Sequence, residues 1–427
     1  KPIPKSWGSS WDRCGNTDSM MVFQASVRAF AHVDCNSFFA SCEVLRNPAL
    51  KGRCVCVGDQ LIIAASYEAK RRGIKTGTPM WEAERLLGKS LVKILPDHAF
   101  YGETSRKLMS YMADAVGDIE QFSVDEFFAD VTVLADSRTE GGYERLAEKL
   151  KADIYRDIGL PVSVGISSTR IRAKMFSEIN KPFGSYVSFD KTDIENLFSD
   201  LPVRAVPYIA RRNSERLGSG VKTVRDFYDL PPEKVREVLG KNGFTLWLEL
   251  HGADVWSPHD VTKRQKSLSA TRSFNREMTS EYHALWRYLA ANLERAYDAL
   301  LRDKQETRVV SVMLKDKDFR VFWLSADLGD PTIDRAVIGK AARALFDRIF
   351  DRSLLYRTTG VRFDELRPYV PKQLSVFDIE NRAHVENDSL SVAMERLKRL
   401  YGKDVVHRGL VTQNRKPEGL AVLYEAG

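Results

Sequence analysis

Gln121-Phe-Ser-Val-Asp-Glu-Phe-Phe-Ala-Asp130 sets two adjacent acids, Asp125 and Glu126, in the middle of an apolar stretch. Val124, Glu126 and Phe128 alternate with Asp125, Phe127 and Ala129, so the segment reads as one strand showing its residues to opposite faces in turn. Phe122, Val124, Phe127, Phe128 and Val131 make it apolar enough to lie inside a sheet. An unpaired carboxylate in such a place is costly. A cation removes the cost, because hard divalent metals take carboxylate oxygens and Mg²⁺ accompanies phosphate substrates. The plainer reading is a strand end with two solvated acids. A second acid in a similar setting upstream separates the two. Val27-Arg-Ala-Phe-Ala-His-Val-Asp34 reads as a buried strand ending on an acid, and Cys35-Asn-Ser-Phe-Phe-Ala-Ser-Cys-Glu-Val-Leu45 then turns into an amphipathic helix.

The rest of the chain describes an ordinary soluble protein with a real core: 427 residues, 43% hydrophobic and 29% charged. That length suits two to four domains. A net charge of +7 and a pI near 9.0 suit a polyanionic partner. Five cysteines (14, 35, 42, 54, 56) without paired C-x-x-C spacing read as free thiols of a reducing cytoplasm. No apolar run reaches membrane-spanning length, so no membrane partner is expected. Residues 1–26 are expected to be a flexible extension without a signal peptide's apolar centre.

Between the two acidic strands, Cys54-Val-Cys-Val-Gly58 and Leu61-Ile-Ile-Ala-Ala-Ser66 read as strands. Tyr67 to Lys75 is basic and helical, closed by Gly73, and Met80 to Leu87 and Gly102 to Val116 are further helices. Here three motifs, His32-Val-Asp-Cys-Asn-Ser-Phe-Phe-Ala-Ser-Cys-Glu43, Ala64-Ala-Ser-Tyr-Glu-Ala-Lys70 and Ser123-Val-Asp-Glu126, resemble the catalytic signatures of Y-family (translesion) DNA polymerases of the bacterial DinB/UmuC type. Val164-Gly-Ile-Ser-Ser168 and Asn180-Lys-Pro-Phe-Gly184 are similar to two more, in the family's order. The resemblance runs from about residue 28 to the tail.

The resemblance implies an α+β multidomain right hand. Palm and fingers would take 27–193 (fingers about 44–100), a helical thumb 194–261, a basic linker 262–276, a little finger 267–367, and a tail 368–427. It implies a DNA-directed polymerase adding dNTPs to a primer 3′ end opposite damaged template, in DNA repair and SOS mutagenesis. The ligands of two Mg²⁺ ions would be Asp34, Asp125, Glu126 and the main-chain carbonyl of Cys35. Phe39 matches the steric gate beneath the sugar, which excludes a 2′-hydroxyl by clash; its neighbour Phe38 is counted with the nucleotide contacts, although a core aromatic on a helix fits Phe38 better than Phe39. Tyr67 and Lys181 match residues that meet the triphosphate, and Ile63 the roof over the nascent pair. Lys70 departs from the family's arginine, keeping the charge but losing the bidentate fork, and Arg71 is a candidate to compensate.

Ile194 to Leu250 reads as short helices. The family's glycine-rich phosphate-gripping turn is replaced by Val206-Pro-Tyr-Ile-Ala-Arg-Arg-Asn213, where Arg211 and Arg212 offer charge instead. In the basic stretch that follows, Lys263, Arg264, Lys266, Arg272 and Arg276 are candidate contacts to the primer-template backbone. Strand, helix, strand, strand, helix, strand from Ser267 to Phe363 fits a sheet with helices on one face. Gln373-Leu-Ser-Val-Phe377 is similar to the bacterial sliding-clamp-binding peptide, with Leu374, Val376 and Phe377 as apolar anchors and Gln373 as hydrogen-bonding partner. The tail after it, Phe39-Ala-Ser-Cys-Glu43 and Thr271-Arg-Ser-Phe274 look more UmuC-like than DinB-like. Recombinase or accessory subunits are further partners the resemblance suggests. A catalytically silent DNA- and clamp-binding accessory is the alternative function, against which all three carboxylates stand.

Overall fold

The computed structural model describes residues 28–134, 141–255, 265–274, 277–369 and 396–397. They fall into two compact units that divide between residues 261 and 262.

The first unit is assembled in the order β1 (Phe30–Cys35), α1 (Phe38–Arg46), β2 (Cys54–Gly58), β3 (Ile62–Ala65), α2 (Tyr67–Arg71), α3 (Met80–Leu87), β4 (Leu91–Ile94), α4 (His98–Val116), β5 (Ile119–Gln121), β6 (Glu126–Asp130), α5 (Gly142–Ile158), β7 (Val162–Ser167), α6 (Arg170–Ile179) and β8 (Ser185–Val187). Its central sheet runs β5-β6-β1-β7-β8, and a small sheet runs β3-β2-β4. All six residues of β1 are buried. That follows from its place: β1 pairs antiparallel with β6 on one side and β7 on the other, and helices cover its faces. Val33, Phe127, Val164 and Ile166 share one core with Leu108 of α4 and Ile154 of α5.

The strand expected over 121–130 is in fact a hairpin. β5 and β6 pair with Ile119 opposite Ala129 and Gln121 opposite Phe127, and residues 122–125 make the bend. Phe122 and Ser123 both donate their N–H to the Glu126 carbonyl, at 2.9 and 3.2 Å. The Ser123 hydroxyl donates to the Asp125 carboxylate, a local bond that competes with ladder pairing. Phe122 and Val124, expected inside the sheet, are therefore 39% and 47% exposed. The basic helix is also shorter than expected. It ends at Arg71, with Gly73 at φ +91 in a conformation closed to other residues without strain.

Among the described residues four α-helices follow in this unit: α7 (Lys191–Asp200), α8 (Arg211–Leu217), α9 (Val224–Tyr228) and α10 (Pro232–Leu250), the last broken at Gly240. Phe198, Phe227, Val235 and Leu250 pack with Ile171 and Phe176 of α6. The end of α10 is bonded to the start of α6: the Glu249 carboxylate accepts from Ile171 N–H at 3.0 Å, and Arg172 donates to the Leu250 carbonyl at 2.6 Å.

The second unit comprises β9 (Ser267–Ser273), α11 (Tyr282–Arg302), β10 (Gln305–Asp316), β11 (Val321–Thr332), α12 (Arg335–Ile349) and β12 (Tyr356–Asp364). The strands lie antiparallel in the order β11-β10-β12-β9. Val310, Val312 and Leu314 of β10 face Leu289 and Leu293 of α11 and Leu345 and Phe346 of α12. On the other face, register sets Ser269, Arg362, Ser311 and Ser325 side by side across the four strands. This is the α+β arrangement, helices on one face, expected from the order of elements.

Two glycines report on packing in opposite directions. A Cβ at Gly165 of β7 would stand 2.0 Å from the Ala173 carbonyl oxygen and 2.4 Å from Ser177 N, whereas one at Gly339, inside α12, meets nothing within 4 Å. Gly165→Ala is expected to destabilise by about 3 kcal/mol through overpacking. Gly339→Ala should stabilise by about 0.5–1 kcal/mol through lost chain entropy. Urea unfolding of the two variants beside the parent checks both signs.

Candidate active site

Alternation along β1 puts His32 and Asp34 on one face. Across the ladder Asp34 lies opposite Glu126, and His32 opposite Phe128. The N–H of Cys35 donates to the Asp125 carbonyl at 2.9 Å, which ties the hairpin bend to the end of β1. Two strands thus set Asp34 and Glu126 side by side, with Asp125 at the bend next to them.

Asp34 is 6% exposed, and its carboxyl is pushed up to about 7 by burial, against the pull of Lys181. Lys181 Nζ lies 2.6 Å from Asp34 Oδ1 and 2.5 Å from Glu178 Oε1. Burial would lower the Lys181 pKa, but those two carboxylates prevail and raise it. Burial likewise opposes ionisation of Glu126, yet the His32 ring and the Lys174 ammonium outweigh it and hold that carboxyl below its ordinary range. Of the two, Lys174 acts at contact, 2.7 Å from Glu126 Oε2. His32 Nε2 is 3.9 Å away, beyond hydrogen-bond reach. Burial also raises the Asp125 carboxyl.

Beside these acids stands a basic, aromatic group. Lys70 Nζ lies 4.5 Å from the centre of the Tyr67 ring. Burial lowers the Lys70 pKa and raises that of Tyr67, and both groups feel the charges of Lys181 and Asp34. Arg71 lies outside the group, its side chain 71% exposed and 4.0 Å from Glu68. Phe39 is half-buried, its ring stacked on Tyr101 with centroids 4.4 Å apart. Phe38, counted with the nucleotide contacts, is instead 2% exposed in the central core. Its side chain is spent on packing. The Cys35 thiol is buried, and burial together with Asp125 and Asp34 pushes it well up, so it is neutral.

Sequence reasoning missed three residues that shape this site. His32 is fully buried, its Nδ1 2.8 Å from Ser177 Oγ; the i, i+2 spacing to Asp34 on a strand was the available signal. Lys174 shares α6 with Ser177, one turn away. Asn36 donates to Ser163 Oγ at 2.9 Å and accepts from Phe183 N–H at 2.7 Å. It thereby holds Phe183 at φ +56 and fixes the loop that carries Lys181.

The other candidate residues lie apart from this cluster. Arg211 and Arg212 open α8, exposed, with Arg211 paired to Glu215 at 2.7 Å. Just before them Tyr208 takes a left-handed φ of +67, the conformation a glycine would supply. In the second unit Lys266 and Arg272 are exposed, and the Arg272 guanidinium lies 5.7 Å from the Tyr288 ring, on the helical side of the sheet. Lys263, Arg264, Arg276 and the peptide residues Gln373, Leu374, Val376 and Phe377 lie outside the described residues.

Among the described residues no three of His, Cys, Asp and Glu form a ready metal cage. The donor set nevertheless fits Mg²⁺, which is ordinarily held by one or two carboxylates with substrate phosphates and water completing the shell. Asp34, Glu126 and Asp125, with Lys70 and Lys181 beside them, are donors and neighbours of that kind.

The impB/mucB/samB family model matches residues 33–178, and that family's C-terminal domain matches 265–376, together more than half of the chain. The chain belongs to this family, the Y-family polymerases. DNA polymerase IV of Bacillus velezensis is 27% identical over 403 residues, covering 91% of this chain and 94% of its own. DNA polymerase IV of Desulfatibacillum aliphaticivorans is 29% identical, covering 90% and 97%. A Y-family DNA polymerase chimera of Dbh and Dpo4 superposes with a TM-score of 0.67 at 25% identity, over 79% of this chain and 98% of its own. DinB from Sulfolobus solfataricus, at 24% identity and a TM-score of 0.51 over 80% of this chain, shares the fold. Family and fold are therefore those of a right hand with palm, fingers, thumb and little finger. The likeness supports a DinB-type member, a branch that the residues alone leave undecided between DinB and UmuC.

Burial pushes His32 down to about 4 from its ordinary 6.5. A depressed histidine stabilises the fold fully above the unfolded pKa and loses that contribution as pH falls towards the folded one. Between pH 7 and pH 5 the metal-free protein should lose about 2 kcal/mol to this group. In His32→Phe, which keeps the ring packed on Phe128, that part of the pH dependence should vanish. Urea unfolding of both proteins in EDTA at the two pH values checks it.

Proposed function

We propose that this chain is a template-directed DNA polymerase that extends a primer 3′ end past damaged template bases. The observation that carries the reading is the pairing of Asp34 with Glu126 on adjacent strands, with Tyr67, Lys70 and Lys181 beside them. Relatives named DNA polymerase IV across nine-tenths of the chain support the same reaction.

In this reading 27–193 is palm and fingers, 194–261 the thumb and 267–367 the little finger. Asp34, Asp125, Glu126 and the Cys35 carbonyl would hold two Mg²⁺. Bound there, the ions would make the primer hydroxyl nucleophilic and neutralise the leaving pyrophosphate. Lys181 and Lys70 meet the triphosphate as point charges, and Tyr67 contacts phosphate and sugar. Phe39 lies under the deoxyribose. Arg211, Arg212, Lys263, Arg264, Lys266, Arg272 and Arg276 bind the DNA backbone without reading sequence. Gln373 to Phe377 tethers the enzyme to a sliding clamp in the cytoplasm.

Primer extension in Mg²⁺ by the purified chain, beside Asp125→Ala/Glu126→Ala, tests the core of the proposal. Extension is expected from the parent and should fall by at least about 10³-fold in the variant, the scale of losing groups that act on developing charge. Binding of primer-template without extension by the parent would sink it in favour of the silent accessory. Lys70→Arg restores a bidentate fork and is expected to lower KM for dNTP about three- to tenfold with kcat little changed. Gln373→Ala/Phe377→Ala should abolish stimulation by added clamp while leaving unaided extension intact.

A further inference from the structure

The floor beneath the proposed sugar site is built more firmly than a lone aromatic requires. Phe39 is the second residue of α1, and its ring lies against Tyr101 of α4, tilted only 17°. His98 meets the edges of both rings, at 5.8 and 6.1 Å. Tyr101 is 1% exposed, and its hydroxyl donates to Glu43 Oε1 at 2.6 Å. Glu43 is 3% exposed and lies one turn beyond Phe39 on the same helix. Arg46 takes both its oxygens at 2.8 and 2.7 Å, then reaches Asp97 at 2.9 Å. Asp97 in turn accepts from Phe100 N–H and caps α4. The Arg46 guanidinium also covers the Phe100 ring at 4.7 Å.

These bonds close a circuit between two helices. α1 supplies Phe39, Glu43 and Arg46, and the start of α4 supplies Asp97, Phe100 and Tyr101. A buried carboxylate is an unusual partner for a core tyrosine, because its charge must be met elsewhere. Here Arg46 meets it, one nitrogen (Nη2) reaching both carboxylate oxygens, and the tyrosine bond fixes the direction of the Tyr101 ring as well as its depth. A ring that only filled space could be any large apolar residue. A ring whose angle is set by a charged acceptor presents a face that does not turn.

Exclusion of a 2′-hydroxyl by clash works only if the clashing group cannot give way. A χ rotation of Phe39 by some tens of degrees costs on the order of 1 kcal/mol when nothing stands behind it. We propose that Tyr101, held by Glu43 and Arg46, is the positioning residue that makes Phe39 unyielding, so that sugar selectivity belongs to the Phe39–Tyr101–Glu43 unit. The inference rests on the reading of Phe39 as the gate.

The experiment measures kcat/KM for one dNTP and the matching rNTP, by single-nucleotide insertion on an undamaged primer-template. The parent is compared with Phe39→Ala, Tyr101→Leu, Tyr101→Phe and Phe39→Ala/Tyr101→Leu. Phe39→Ala should lower the dNTP-to-rNTP ratio most. Tyr101→Leu should lower it on the order of tenfold, and Tyr101→Phe by less, because it keeps the ring and loses only its anchor. The double variant should discriminate no worse than Phe39→Ala, since the support has nothing left to hold. If Tyr101→Leu scales both nucleotides by one factor while Phe39→Ala still collapses the ratio, Tyr101 is a packing residue and the proposal falls. An unchanged ratio in Phe39→Ala removes the gate itself, and with it the proposal. Should Tyr101→Leu fail to fold by circular dichroism, Tyr101→Phe decides: a lowered ratio supports the anchored ring, an unchanged one overturns it.

Discussion

The ladder that joins β1 to β6 sets acid against acid. Asp34 and Glu126 face each other across it, and both carboxylates are partly or wholly removed from water. Like charges at that separation in a poorly polarisable interior repel strongly. The surroundings answer with cations on both flanks. Lys181 reaches in from the loop after α6, and Lys174 from α6 itself. Carboxylates and lysines are thus gathered in one place, the mixture of charge that the proposed binding of divalent ions with a triphosphate would draw on.

Those lysines act only because neutral groups hold their carriers in place. Gly165 lets α6 lie against β7, which sets the distance from Lys174 to Glu126. Asn36 fastens the loop of Lys181 through the Phe183 N–H. His32, kept uncharged by burial, joins β1 to Ser177. On the far side, bonds from Arg172 and Glu249 fasten α6 to the end of α10. The charged site is thus the inner edge of a polar frame running from the sheet into the helical segment.

Much of this was legible in the sequence. The run from Phe30 to Cys35 is apolar on both sides of its single acid, as a central strand must be. The order of helices and strands in the second unit was legible too. The hairpin at 122–125 was not legible, because Phe122 and Val124 continue the apolar alternation while the bend is made by a serine bonded to the acid two residues on. Period-2 patterning cannot see a turn that carries no glycine or proline. The roles of Lys174 and Asn36 were hidden for another reason. Each acts across more than 40 residues of chain, and one sequence holds no sign of which distant partner a lysine or asparagine will meet. Phe38 and Phe39 are adjacent rings on one helix; Phe38 is interior, as a core aromatic there reads, and Phe39 faces Tyr101, a partner the sequence did not show.

The bond from Cys35 N–H to the Asp125 carbonyl involves no side chain. The alignment of the two acidic segments is therefore written in peptide groups, which every residue except proline provides. Residue 35 can exchange its side chain for any that fits the same buried space, and the acids keep their spacing. Drift in the lineage is free to alter the lining of this site one side chain at a time while its frame of reference stays where it was.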